Sequence, residues 1–240
     1  MSPLPPWLRA HAEARLGHLV DHTLLRPEAT EAEIVRLCEE AMRFGFGTVC
    51  VNGQWVGTAA TRLMGKGVGV VAVVGFPLGA SGLAAKVAET GIAVAAGANE
   101  IDMVLSLGRA RAGQWDLVRY EIAAVVEAAS GRAVKVILET AALTPGEAEL
   151  ASAASLEGGA AFVKTSTGFH SAGGASVEMV QLLRRAVGDR AGVKASGGIR
   201  TADDARRMLL AGADRIGSSA AAGWGDAVGA AAPTVSSFLA

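Results

Sequence analysis

Lysine is scarce in this chain of 240 residues: of 22 basic residues only five are lysines, namely Lys66, Lys86, Lys135, Lys164 and Lys194. A chain that uses arginine for nearly all its positive charge keeps lysine where a primary amine does something a guanidinium cannot. Cysteine is scarcer still. Cys38 and Cys50 stand alone, with no Cys-x-x-Cys or Cys/His spacing, which argues against a disulfide framework and a structural zinc and points to a reduced, cytoplasmic compartment. Neither sign of charge dominates: a net charge of −1 and a pI near 6.4 leave no basic patch for a duplex, so no nucleic-acid partner is expected. Uninterrupted apolar runs are missing too. Gly67–Ala85 carries no charge over nineteen residues, but Gly69, Gly75, Pro77, Gly79, Ser81 and Gly82 break it, its valine-rich first half reads as a buried strand, and no membrane partner is expected. Met1–Trp7 lacks a basic start followed by an apolar run, and no signal peptide is expected. What is present is 51% apolar and 19% charged residues, the composition of one globular domain, expected over 1–240.

Short β-branched runs alternate with longer helical stretches, the pattern of consecutive βα units on a parallel sheet. Strands are expected near 18–23, 47–52, 68–75, 99–105, 133–139, 160–165, 191–195 and 213–217. A helix is expected over about 5–17, and others over Glu31–Phe44, Ser81–Ala96, Trp115–Ser130, Pro145–Glu157, Ser176–Val187 and Thr201–Ala211, with Thr30 and Thr201 as N-caps. Glycines 45, 97, 131, 158 and 212 close helices, where a left-handed residue is wanted. The Ala/Gly-rich tail 220–240 is expected to be the last helix plus a less ordered end. Eight βα units in this length, with no G-x-G-x-x-G after the first strand, predict an α/β fold: a (β/α)8 TIM barrel with an extra N-terminal helix.

Strands buried on both faces are apolar throughout, so polar residues inside them are conspicuous. Strand one ends in Asp21-His22-Thr23, strand two carries Cys50, strand four Asp102, strand five Lys135 and Glu139, strand six Lys164 and strand seven Lys194. Val163-Lys164-Thr165-Ser166-Thr167-Gly168 and Val193-Lys194-Ala195-Ser196-Gly197-Gly198 share V-K-x-S-x-G, which places both lysines at equivalent positions of neighbouring strands. Two ammonium groups about 4 Å apart at an effective dielectric near 20 repel by about 4 kcal/mol, or about three pKa units. One amine is then partly neutral near pH 7, the condition for attack on a carbonyl. Asp102 beside them is an acid/base candidate, while Lys135 has two readings, a site residue or a cation simply neutralised by Glu139 or Asp102. Lys66 and Lys86 read as solvated. Gly197-Gly198 after strand seven, and Gly217-Ser218-Ser219 after strand eight at the start of the last helix, offer N–H groups and hydroxyls to a phosphate. The histidines show no metal-ligand pattern. His22 beside Asp21 is expected to help shape the site, and Cys50 reads as a small buried apolar residue.

These residues resemble those of the deoxyribose-phosphate aldolases, which are class I aldolases. The likeness runs from Asp21-His22-Thr23-Leu24-Leu25 through Val74-Gly75-Phe76-Pro77, Glu100-Ile101-Asp102, Lys135-Val136-Ile137-Leu138-Glu139 and the two V-K-x-S-x-G stretches to Arg215-Ile216-Gly217-Ser218-Ser219. The resemblance implies a TIM barrel and reversible cleavage of 2-deoxy-D-ribose 5-phosphate to glyceraldehyde 3-phosphate and acetaldehyde, with no cofactor and no metal. It implies Lys164 as the Schiff-base lysine, Lys194 as the group that lowers its pKa, and Asp102 as a proton carrier. Substrate and phosphate binding would fall to Thr23, Thr167, Gly197, Gly198, Gly217, Ser218 and Ser219, supported by Asp21, Lys135 and Cys50. Two departures stand out. The chain ends Ser236-Ser237-Phe238-Leu239-Ala240, without the tyrosine-bearing tail of some members, so ordered water with Asp102 is expected to carry the proton. Phe169 also stands where some members place a lysine.

Three other functions compete: a Schiff-base aldolase or transaldolase acting on a phosphorylated ketose, a sugar-phosphate isomerase using Asp102 and Glu139, and a silent sugar-phosphate binder. Partners are expected to be a phosphorylated sugar and small aldehydes. A homo-oligomer, dimer or tetramer, is expected, with Trp7, Trp55, Trp115 and Trp224 as interface candidates.

Overall fold

The computed structural model describes residues 4–229 and 231–240. Met1–Pro3, where the expectation about a signal peptide begins, and Ala230 in the tail lie outside them. Among the described residues, eight parallel strands close in chain order into a barrel: β1 Val20–Leu24, β2 Thr48–Val51, β3 Gly69–Val74, β4 Glu100–Val104, β5 Ala133–Ile137, β6 Phe162–Lys164, β7 Gly192–Ser196 and β8 Arg215–Ser218, with β8 pairing β1. The helices between them are α1 Glu31–Phe44, α2 Val56–Leu63, α3 Leu83–Ala95, α4 Leu107–Arg111, α5 Trp115–Ala128, α6 Pro145–Glu157, α7 Val177–Val187 and α8 Ala202–Ala211, and α9 Val235–Leu239 ends the chain. Capping boxes open α1 at Thr30 and α8 at Thr201, so the orphan N–H groups of each first turn are satisfied locally. The charge-free stretch Gly67–Ala85 divides into β3, a loop and the start of α3, and no helix of the described residues is long and apolar enough to cross a membrane.

Alternation along each strand separates two environments. Outward residues such as Val49, Val70, Ile101, Met103, Val134, Val163, Val193 and Ile216 pack against the helices in the main apolar core. Inside the barrel, Cys50, Val71 and Val73 form a small apolar patch with Leu25. Asp21, Asp102, Lys135, Lys164, Lys194 and Arg215 share that interior.

Several expectations are corrected. The N-terminal helix over 5–17 is instead two 3₁₀ turns, Pro6–His11 and Leu16–Leu19. Gly17 lies in the second turn, where a Cβ would come within 2.6 Å of the Gly45 carbonyl oxygen, so the chain turns to hug the end of α1. Among the described residues no long helix follows β8: the chain makes short turns at Ala221–Gly223 and Gly225–Ala227, with Gly225 and Gly229 at positive φ. Gly217 and Ser218 therefore end a strand and do not open a helix. At the end of α6 the left-handed residue is Gly159, since Gly158 has φ −76°. Helices α2 and α4 were not foreseen. Both are short, and α2 contains Gly57 and two threonines, so intrinsic propensity does not announce it.

Candidate active site

Neighbouring strands bring the interior polar residues into register. Lys164 pairs with Lys194 across β6 and β7, Lys194 with Arg215 across β7 and β8, and Asp102 with Lys135 across β4 and β5. Their side chains meet in one ionic lattice. A single carboxylate oxygen, Asp102 Oδ2, accepts from Lys164 Nζ at 2.8 Å and from Lys194 Nζ at 2.7 Å. Asp102 Oδ1 accepts from Lys135 Nζ at 2.8 Å, and Lys135 also pairs with Glu100 Oε2 at 2.5 Å. Asp21 accepts from Lys194 through Oδ2 and from Arg215 Nη1 through Oδ1 at 2.9 Å. Glu139, one of the two candidates to neutralise Lys135, has a different partner: its carboxylate accepts from the backbone N–H of Thr167 at 3.3 Å and from the Thr167 hydroxyl at 2.5 Å.

The lattice treats its amines differently. Burial pushes the Lys164 amine down, and the neighbouring Lys194 charge adds to this against the pull of Asp102, leaving it below the ordinary lysine value. Burial also disfavours charge on Lys194 and Lys135, but Asp102 and Asp21 outweigh it and hold both above the ordinary value. Asp102 and Asp21 are buried as well, yet the surrounding cations keep Asp102 well below the carboxylate range and Asp21 below it. Burial, and not repulsion between the two lysines, is thus the leading cause at Lys164, because Asp102 Oδ2 sits between the amines. Cys50 lies nearby with its thiol pushed up to about 11 by burial, so it stays protonated.

A cleft of about 620 Å³ opens above the lattice at the C-terminal strand ends. Of the three barrel lysines only Lys164 lines it; Lys135 and Lys194 lie beneath, fully buried. Thr23, Thr167, Gly197, Gly198, Gly217, Ser218 and Ser219 line its wall, as do Phe169, Arg26 and Arg200.

The sequence model of the DeoC/LacD family aldolases matches residues 17–232. The chain belongs to this family. It is 52% identical over 205 residues to the deoxyribose-phosphate aldolase of Streptococcus gordonii, covering 85% of this chain and 93% of that one. It is 50% identical over 208 residues to the deoxyribose-phosphate aldolase of Geobacillus sp. strain WCH70, covering 86% and 93%. Among solved structures it is similar to a deoxyribose phosphate aldolase from Aeropyrum pernix described as tetrameric, with a TM-score of 0.81 and 36% identity over 86% of this chain and 87% of that one.

In this DeoC/LacD aldolase the hydroxyls along the cleft are unequal. The Thr23 hydroxyl donates to the Asp21 carbonyl, the Thr167 hydroxyl to Glu139 and the Ser218 hydroxyl to the Ile199 carbonyl. Their donor capacity is already engaged, so they shape the wall and have no O–H left for an anion in this arrangement. Exposed Ser219 donates to no other described residue. Gly197 and Gly198 have φ of 89° and 81°, and a Cβ on Gly197 would come within 3.0 Å of Gly174 Cα. Conformation favours glycine at both positions, and space also at Gly197.

Sequence reasoning passed over Arg26 and Arg200 as site residues, although a cation directly after Gly-Gly-Ile at the phosphate end was a usable signal. Arg26 bonds to Glu28 at 2.9 Å and to Glu33 at 2.6 Å. His22 lies on the outer face of β1, packing on Phe46 and bonding Glu40 through Nε2 at 2.7 Å, and with Glu40 it lines the cleft, in keeping with its expected part in shaping the site. Lys66 is exposed as expected, but Lys86 is not solvated: it is fully buried, bonded to Glu121 and, at 2.8 Å, to the Val104 carbonyl.

Proposed function

We propose that this aldolase reversibly cleaves 2-deoxy-D-ribose 5-phosphate to D-glyceraldehyde 3-phosphate and acetaldehyde through a Schiff base on Lys164. One observation carries the assignment of the nucleophile: Lys164 alone among the barrel lysines both reaches the cleft and has its amine pushed toward neutrality. The charge count agrees. Asp21, Glu100 and Asp102 are matched by Lys135, Lys194 and Arg215, so a fourth proton on Lys164 would leave an uncompensated buried charge.

The neutral Lys164 amine attacks C1 of the open-chain aldehyde to give a carbinolamine, and water leaves to form the iminium. The C3 hydroxyl proton passes to a water that hands it toward Asp102. The C2–C3 bond breaks, its electron pair moving into the iminium to give an enamine, and glyceraldehyde 3-phosphate departs. Protonation of the enamine at C2 and hydrolysis free acetaldehyde and restore Lys164. The iminium is the electron sink, the task a metal ion performs in other aldolases. Asp102 is too weak a base to keep a proton, but its contact with both Lys164 and Lys194 suits it to relay one. Lys194, held charged, sustains the lowered basicity of Lys164. The phosphate is read as lying against the backbone of Gly197, Gly198 and Gly217 with Ser219 and Arg200. Ser218, Thr167 and Thr23 form the wall, and Asp21, Lys135 and Cys50 support from below. The relatives' names support the substrate. The tetramer from Aeropyrum pernix supports a homo-oligomer, the free cysteines suit the reduced cytoplasm, and residues 1–240 are taken as one domain.

The test is acetaldehyde with cyanoborohydride, followed by peptide mass analysis. An ethyl adduct on Lys164 is expected, together with acetaldehyde release from deoxyribose 5-phosphate in the presence of a chelator. Full activity in Lys164→Ala, or turnover insensitive to reductant, overturns the assignment.

A further inference from the structure

Beneath the lysines lies a second layer of charge that the reaction as written does not use. Arg215 begins β8 and Glu100 begins β4, so both stand at the N-terminal end of the barrel, opposite the cleft. Arg215 Nη1 donates to Asp21 at 2.9 Å, and Nη2 lies 3.5 Å from Glu100 Oε1. Glu100 in turn pairs with Lys135 at 2.5 Å. The guanidinium sits 5.9 Å from the centre of the Phe162 ring and borders a cleft of about 570 Å³ at that end. Arg215 and Glu100 thus hold the outer ends of two chains: Arg215 to Asp21 to Lys194 to Asp102, and Glu100 to Lys135 to Asp102. Both chains end on the carboxylate that Lys164 touches.

We propose that Arg215 and Glu100 are positioning residues that form a charged floor to the barrel and set the protonation state of Lys164 from the opposite end. Lys164 is faced by Asp102 from β4, Lys194 from β7 and Cys50 from β2; behind these stand Asp21 from β1, Lys135 from β5, Glu100 from β4 and Arg215 from β8. With Lys164 neutral, three carboxylates meet three cations. Without Arg215 the carboxylates outnumber the remaining cations, and a proton on Lys164 restores the match. Without Glu100 the cations are in excess, and Lys164 is driven further from its proton. Arg215 and Lys164 flank Lys194 in register, about two strand spacings or roughly 10 Å apart. A unit charge at that range and an effective dielectric near 20 moves a pKa by about one unit.

This inference rests on Lys164 being the Schiff-base nucleophile, and the test separates the two. The pH dependence of kcat/KM on deoxyribose 5-phosphate, and of acetaldehyde trapping by cyanoborohydride, is measured for the wild type, Arg215→Gln, Glu100→Gln, the double variant and Arg215→Lys. The acid limb is expected about one pH unit higher in Arg215→Gln, with trapping at pH 7 down about tenfold. It is expected lower in Glu100→Gln, back near the wild-type position in the double variant and unmoved in Arg215→Lys. A purely structural role predicts loss of activity with no opposed shifts. Limbs that coincide, or that move the same way in both single variants, overturn the proposal. Absence of an adduct on wild-type Lys164 overturns the function on which it rests. If Arg215→Gln loses its melting transition, Glu100→Gln and Arg215→Lys still decide.

Discussion

Asp102 Oδ2 accepts hydrogen bonds from two amines, yet only one of them has a second carboxylate. Lys194 also holds Asp21, whereas Lys164 has Asp102 alone and faces the cleft. That asymmetry decides which amine keeps its proton. Replacing Lys194 by Met removes the cation that both carboxylates share and leaves Asp21, Glu100 and Asp102 facing Lys135 and Arg215, so Lys164 becomes the favoured place for a proton. A rise of about two pKa units is expected, with activity at pH 7 lower by about 100-fold. Activity should recover as pH is raised. A pH–rate profile checks this, and a loss that is constant from pH 6 to 10 would contradict it. Scarcity of lysine and the V-K-x-S-x-G repeat were enough to find this pair, because each strand position fixes a side chain to one face. The partners were only partly legible. Nothing local to Lys135 distinguishes Glu139, four residues away, from Glu100, and the choice follows from the stagger of the closed barrel.

At the scale of elements, the loop after β5 and the loop after β6 are tied together by Glu139. This residue adopts φ 56° and ψ 56°, a left-handed conformation unusual for a side chain with a Cβ, and its buried carboxylate grips both the backbone and hydroxyl of Thr167. Glu139→Ala releases the segment that leads to Gly168 and Phe169 along the cleft. Hydrogen bonds to a charged group contribute about 1.5–3 kcal/mol, so KM for the phosphorylated substrate is expected to rise about tenfold or more while trapping of acetaldehyde on Lys164 stays near wild type. Equal losses in both assays would assign Glu139 to the chemistry. On the outer face of β4, Lys86 of α3 and Glu121 of α5 form a buried pair that also grips the Val104 carbonyl. Helical periodicity placed Lys86 on a helix correctly, but its partner lies 35 residues away, and no local pattern announces such a pairing. Lys86→Ala strands the Glu121 charge and should cost about 3–5 kcal/mol in denaturant unfolding, whereas Lys86→Met with Glu121→Leu should cost little or stabilise. A similar cost in the double variant would show that the pair is worth more than its desolvation.

At the scale of the whole molecule, the barrel followed from counting β-branched runs, since parallel strands buried on both faces leave an unmistakable apolar record. The two ends did not. Prolines 5 and 6 and the glycines after β8 shape segments whose conformation is set by docking, Trp7 on the Leu209 carbonyl of α8 and Gly229 on the Phe44 carbonyl of α1, and not by periodicity. What the apolar record conceals is that the barrel encloses ions, and this governs how the molecule responds to pH. Asp21 and Asp102 are fully buried and titrate below their unfolded value near 3.9. A depressed carboxylate contributes stability that is complete above its unfolded value and disappears as pH falls through its folded value, because over that range the unfolded chain binds a proton the native one refuses. Each should add about 1.4 kcal/mol per pH unit to the acid slope below about pH 4. On the alkaline side the signs oppose. Lys135 and Lys194, raised, contribute stability that is lost as pH climbs through their folded values. Lys164 and Lys86, lowered, act the other way, since between their folded value and about 10.4 the unfolded chain holds the proton. Stability measured by denaturant unfolding should therefore fall steeply below pH 4, rise as pH approaches about 10.4 through Lys164 and Lys86, and fall above it as Lys135 and Lys194 lose their protons. Asp21→Asn should be less stable at pH 7 and show an acid slope shallower by about one proton. An unchanged slope in that variant would mean that Asp21 is not the carboxylate whose protonation opens the barrel.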